Sequence, residues 1–136
     1  TSDPRTRLSI LRTIGSNAER VLENDDLALE AYQRIAASKT ATGSAEYFTG
    51  LQGAARILTR RGEYDEALRM LDLVDVEKLG GSWGAKMLFT RAQTLEAAGR
   101  KADALKDYRA LLTTEAATKA QRNMADEAIK AIQKKH

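Results

Sequence analysis

The chain has 136 residues, 43% hydrophobic and 30% charged, which suits one folded domain with a proper core and not a disordered protein. Lysine and arginine number 22 against 19 acids, a formal charge of +3 with the signs interspersed, so the concentrated basic surface of a typical nucleic-acid binder is missing. The absence of cysteine rules out disulfides, thiolate zinc sites and cysteine nucleophiles together.

Apolar residues recur at spacings of three and four and never alternate, so every element reads as a helix. Asp3-Pro4 marks a start, with Leu8, Leu11, Ala18 and Leu22 behind it. The cluster Asn24-Asp25-Asp26 breaks that helix, and Leu27, Ala31 and Ile35 form a second one, closed by a loop from Lys39 to Gly43. Ser44 caps a third helix carrying Leu51, Ala54, Ala55 and Leu58, stopped by Gly62. A fourth holds Ala67, Leu68 and Leu71. Gly80-Gly81 loosens the chain before Ser82 caps a fifth helix with Leu88, Ala92 and Leu95, stopped by Gly99. Ala104, Leu105, Tyr108 and Leu111 form a sixth. After Thr113-Thr114 a last amphipathic helix, with Glu115 at its start, runs through Ala120, Met124, Ala128 and Ile132 to Lys134-Lys135. Seven helices and no strand are expected.

The chain also repeats itself. Aligned without a gap, residues 20–35 and 56–71 place Leu22 over Leu58, Ala31 over Ala67 and Ile35 over Leu71, each 36 positions apart. Residues 93–108 continue the columns at 37 positions: Leu95, Gly99, Ala104 and Tyr108. Gly62 and Gly99 suit a left-handed helix end, and Asp26 fills that column less well in the first copy. The Ala column places the smallest side chain where two antiparallel helices cross, and the residue four positions on points into the seam with the next pair. A single pair cannot bury both faces, so the copies must stack.

"GEYDEAL" and "GRKADAL", with a Leu nine positions before each Ala, closely resemble the tetratricopeptide repeat over roughly four fifths of the chain. The resemblance implies an all-α, right-handed superhelix (an α-solenoid) of three antiparallel helix pairs plus a capping helix. The single domain, 1–136, divides into repeats at about 8–40, 44–79 and 82–114 and a cap at about 115–135. Four departures stand out. The proline often found between repeats is replaced at Thr40, Leu79 and Ala116, Arg91 occupies a usual apolar core position, Gly80-Gly81 stretches the second inter-repeat turn, and the first copy matches poorly before Ala18. A plain helical hairpin in an unrelated bundle is the alternative reading of the motif.

No catalytic constellation is visible. The one histidine is His136, there is no glycine-rich phosphate loop, and Asp25-Asp26 and Asp65-Glu66 read as acids at turns and helix starts. The expectation is a chain that is not an enzyme, with no cofactor, metal or small-molecule substrate. In this family the first helix of each pair lines a concave groove. Carried over by register, the groove positions are Ser16 and Arg20, then Gln52, Arg56 and Arg60, then Lys86, Phe89 and Gln93. The expected ligand is a protein segment or peptide, acidic or carboxylate-bearing, with Arg56 as anchor and Phe89 as an apolar contact. Ordinary solvated charges are the alternative. The family's clamp for chaperone tails needs Lys, Asn, Asn, Lys and Arg where this chain has Ser16, Arg20, Gly53, Lys86 and Thr90, so that ligand is disfavoured. Trp83 reads as a core plug in the widened second gap or as an exposed anchor, and Tyr47 and Phe48 divide the same way.

The leading functional expectation is a non-catalytic interaction domain of a larger or anchored bacterial envelope protein; starting at Thr1 without Met suits an excised or processed form. A small secretion chaperone is the runner-up and an RNA-binding helical repeat the third. No apolar run is long enough to span a bilayer. Periplasm and cytoplasm both remain open, and self-association through the first copy is compatible with the sequence.

Overall fold

The computed structural model describes residues 3–38 and 42–134. Lys39 to Ala41 of the expected first loop, Thr40 among them, and the terminal Lys135 and His136 lie outside the described residues. Among the described residues eight helical segments follow one another: α1 (Pro4–Arg20), α2 (Asp25–Ala37), α3 (Ala45–Arg60), α4 (Tyr64–Leu71), α5 (Val76–Leu79), α6 (Gly81–Ala97), α7 (Lys101–Leu112) and α8 (Lys119–Lys134). There is no strand among the described residues, and no helix long and apolar enough to cross a membrane.

Local chemistry sets most boundaries. Asp3 precedes Pro4 at the start of α1, and Pro costs nothing at a helix start because its missing N–H has no partner there anyway. The Asn24 side chain accepts from the Leu27 amide at 3.1 Å and Ser44 accepts from the Tyr47 amide at 3.1 Å. At α8 the cap is reciprocal: the Gln121 amide donates to Thr118 Oγ1 at 3.0 Å and the Thr118 amide donates to Gln121 Oε1 at 2.8 Å. That capping box starts α8 at Lys119, later than expected, and leaves Glu115 outside its first turn.

Helices pack on their chain neighbours from α1 through α4 and from α5 through α8, and α4 packs on α6 across the single-turn α5. Extended contacts also join α1 to α3 and α3 to α6, so the first helices of the three pairs form a layer. The core runs through the whole stack, from Leu8 in α1 to Ile132 in α8.

Within this frame the hairpin turns repeat one device. Gly62 (φ 79°) and Gly99 (φ 81°) take the left-handed conformation, and the following amides, Glu63 and Arg100, each bond back five residues, to the carbonyls of Leu58 and Leu95, both at 2.9 Å. In the first turn Glu23 (φ 51°) adopts this conformation, and the Asn24 amide reaches back six residues to the Ala18 carbonyl at 2.8 Å. This corrects the expected register of the first copy. The glycine column is filled by Glu23 and not Asp26, and the crossing alanine equivalent to the fully buried Ala67 and Ala104 is the fully buried Ala28. Tyr32 then stands with Leu71 and Tyr108, and Leu22, beyond the end of α1, is 63% exposed where its alignment with Leu58 required burial. The register moves by three residues in α2 and four in α1, about one helical turn, and a gapless alignment hides this because apolar residues recur at just those spacings. Ile35 still lies in the seam with the next pair, so close to α3 that a Cβ on Gly50 would come within 2.9 Å of it.

The second junction also differs. Asp75 caps α5, a single turn, and Gly80 (φ 65°) and Gly81 (φ 64°) then reset the chain direction, so α6 begins at Gly81 and Ser82 lies inside it. Arg91 occupies its apolar position because Asp107 of α7, itself buried, receives it in two hydrogen bonds of 2.7 and 2.9 Å.

Candidate functional site

The layer of first helices carries a groove of about 480 Å³. Five of the eight expected positions line it: Ser16 and Arg20 from α1, Gln52 and Arg56 from α3, and Lys86 from α6. Arg60 lines the adjoining hollow of about 660 Å³ together with Glu19, Glu23 and Asp25. Phe89 and Gln93 line neither. Phe89 turns toward α7, its ring 6.3 Å from that of Tyr108 in an edge arrangement, and packs on the core. Gln93 is simply exposed.

The groove is basic and rich in neutral hydrogen-bonding groups. Arg12, Arg20, Arg56 and Lys86 reach it with Thr13, Asn17, Thr49 and Gln52, and no carboxylate lines it. Arg12 lies 3.5 Å from Glu46 and Arg56 is held by Glu19, whereas Arg20 and Lys86 have no carboxylate partner among the described residues. Lys86 instead sits 4.5 Å above the Trp83 ring, whose other neighbour is the buried Phe48 at 5.6 Å. Trp83 is therefore half-buried: it is a groove wall braced by the core. Tyr47 and Phe48 are buried.

Glu19, which the sequence did not single out, organises the floor. Its carboxylate accepts from Arg56 Nε at 2.9 Å, Arg56 Nη2 at 2.7 Å, Arg60 Nη1 at 3.2 Å and the Tyr32 hydroxyl at 3.1 Å. Arg60 continues to Asp25 at 3.0 Å. Burial by itself would raise the Glu19 carboxyl, but the Arg56 donors and charge, with Tyr32 and Arg60, outweigh it and bring the value down from 4.5 to about 2. Burial, and then the Glu19 charge beside it, pushes the Tyr32 phenol up to about 12. The expected anchor Arg56 already gives Nε and Nη2 to Glu19. Among the groove cations Arg20 and Lys86 alone have no carboxylate partner among the described residues.

Tyr32 is clamped as well as bonded. Cβ atoms built on Gly15 of α1 and Gly53 of α3 would lie 2.6 and 2.5 Å from opposite edges of its ring. Gly53 accordingly faces the Tyr32 ring, and no larger side chain fits there. Behind the groove, Gln52 Nε2 donates to Thr90 Oγ1 at 3.1 Å and the Thr59 and Thr94 hydroxyls pair at 2.8 Å, tying α3 to α6.

A second cleft, about 590 Å³ between α4, α6 and α7, has the Arg91–Asp107 pair in its wall with Glu77 at 3.5 Å from Arg91, and Asp72 and Lys106 also line it. Among the described residues no group of three or more metal-ligating side chains converges. The missed groove residues Arg12, Thr13, Asn17 and Thr49 share helix faces with Ser16, Arg20 and Gln52 at spacings of three and four, a signal that the sequence does carry. No protein-family model, no curated protein and no solved structure matches this chain.

Proposed function

We propose that the chain is a tetratricopeptide-type array, a right-handed superhelix of three helix pairs and a capping helix, that acts as a non-catalytic scaffold. It binds an extended, acidic segment of a partner protein in the groove across α1, α3 and α6. The observation that carries this reading is the lining of that groove: four cationic side chains, several hydroxyl and amide groups, one braced tryptophan and no carboxylate. Such a lining offers charge and hydrogen bonds along a strip, which is what a peptide backbone with acidic side chains presents. The recurring turn, crossing alanine and aromatic or leucine position, together with the layer formed by α1, α3 and α6, supports the array. The non-catalytic part has its own support. Glu19, the carboxyl with the strongly lowered value, is locked between two arginines, which leaves it neither a proton to give nor a free lone pair for a base.

Trp83 is the only tryptophan and lines the groove, so its emission reports occupancy directly. Short extended peptides of graded net charge, titrated against the chain, are expected to shift that emission when acidic. Arg20→Glu with Lys86→Glu should weaken binding by at least about tenfold, equivalent to about 1.4 kcal/mol. If no peptide of any charge alters the emission, or the double variant binds unchanged at low salt, the reading falls. A response confined to single-stranded oligonucleotides, steep in salt, would move it to RNA.

A further inference from the structure

Exposed large apolar side chains are unevenly spread. Ile10, Ile14, Val21, Leu22 and Leu27 all belong to the first helix pair and its turn, whereas Leu73, Leu112 and Met124 stand singly elsewhere. Ile10, Ile14, Asn17 and Val21 follow one another at spacings of four, three and four, a single stripe along α1. The buried Leu8, Gly15 and Ala18 mark a different side of the helix, and Arg12, Ser16 and Arg20 turn to the groove, which the stripe borders at Asn17. At the other end of the stack, α8 turns Lys119, Asn123, Glu127, Lys130 and Gln133 to solvent beside Met124. A polar outer face is what closes a helical stack; the α1 end lacks one.

We propose that the α1 stripe is the surface on which two copies of this chain associate, α1 against α1, antiparallel about a two-fold axis between Ile14 and Asn17. Charge selects this occupant and this direction. The first turn of α1 contains no acid and carries Arg5 and Arg7 behind the N-cap Asp3, while Glu23 follows its end beside Asp25 and Asp26, which Arg60 and Arg61 hold. The Arg7 and Glu23 side chains form no ion pair among the described residues. A two-fold antiparallel pairing sets Ile10 opposite Val21 of the second copy and Ile14 opposite Asn17. It also brings the basic start of each helix to the acidic turn of the other, Arg7 to Glu23, twice. A parallel pairing would instead set Arg7 against Arg7 and Glu23 against Glu23. The helix dipoles oppose one another only in the antiparallel arrangement. Asn17 in the seam disfavours slipped registers that would bury its amide against aliphatic groups. Two helices of 17 residues lie side by side for about 25 Å, so the dimer is small and reversible.

Sedimentation of the whole chain, from micromolar to near-millimolar concentration, tests the inference. The expected mass rises from one chain to two. Ile14→Asp should weaken the association by at least about tenfold with helix content and unfolding midpoint retained, because Ile14 is 38% exposed and outside the core. Arg7→Glu and Glu23→Lys should each weaken it, and the two combined should recover the wild-type constant. A single-chain mass throughout, a dimer indifferent to Ile14→Asp, or a combined charge swap no better than its components would each overturn the proposal.

Discussion

Tyr32 shows how strongly one side chain can dictate its neighbours. Its ring is 2% exposed and touches backbone on two sides, at Gly15 and Gly53, because neither glycine has a Cβ to hold the helices apart. The ring cannot step aside: the hydroxyl is fixed by Glu19 and both edges are already in contact. Gly53→Ala is therefore expected to destabilise the fold by about 1–3 kcal/mol, despite the better helix propensity of alanine, because overpacking outweighs the gain. Urea unfolding measures it. A stabilised Gly53→Ala variant would show that α3 can shift away from α2 without cost. As a control, a Cβ on Gly62 meets nothing within 4 Å, so Gly62→Ala should cost only the positive-φ penalty of about 1 kcal/mol.

At the scale of the element, legibility followed chemistry that acts within one helix or one turn. The caps at Asp3-Pro4 and Ser44, the stops at Gly62 and Gly99, and the buried Ala67, Leu71, Ala104 and Tyr108 were readable because each depends on residues a few positions apart. The first copy misled because Glu23 takes a conformation that glycine usually marks, and because apolar residues spaced three and four apart also matched one helical turn out of register. Glu19 could not be found at all: its partners Arg56 and Arg60 lie on another helix, and only the packing of α1 on α3 brings them together. Arg91 is a similar case, since its pairing with Asp107 depends on how α6 meets α7. That pair carries its own prediction. Arg91→Leu alone strands a buried carboxylate and should cost about 3 kcal/mol, whereas Arg91→Leu with Asp107→Leu should recover most of the loss. Equal losses in the single and double variants would show that the leucine pair cannot repack in the space the ion pair fills.

For the whole molecule, the same ion-pair logic decides how the first unit is held to the rest. Ala28 and Ile35 pack without polar help, but Glu19 joins α1 to α2 through Tyr32 and to α3 through Arg56 and Arg60, so one carboxylate links three helices. Its value is about 2 in the folded chain and near the ordinary 4.5 when unfolded. Folding thus favours the ionised form, and the stabilisation is complete above about pH 4.5. As pH falls the unfolded chain takes up the proton first, the contribution declines between about 4.5 and 2, and below about 2 it is gone. Glu19→Gln should be less stable than wild type at neutral pH, since Arg56 loses its counter-charge, and the gap should close through that acid window. Urea unfolding of both proteins at neutral pH, near pH 4 and near pH 2.5 would show it. A gap that stays constant with pH would mean that the Glu19 side chain acts through shape and hydrogen bonding alone. A gap that closes would identify charge as what fastens α1 to the stack.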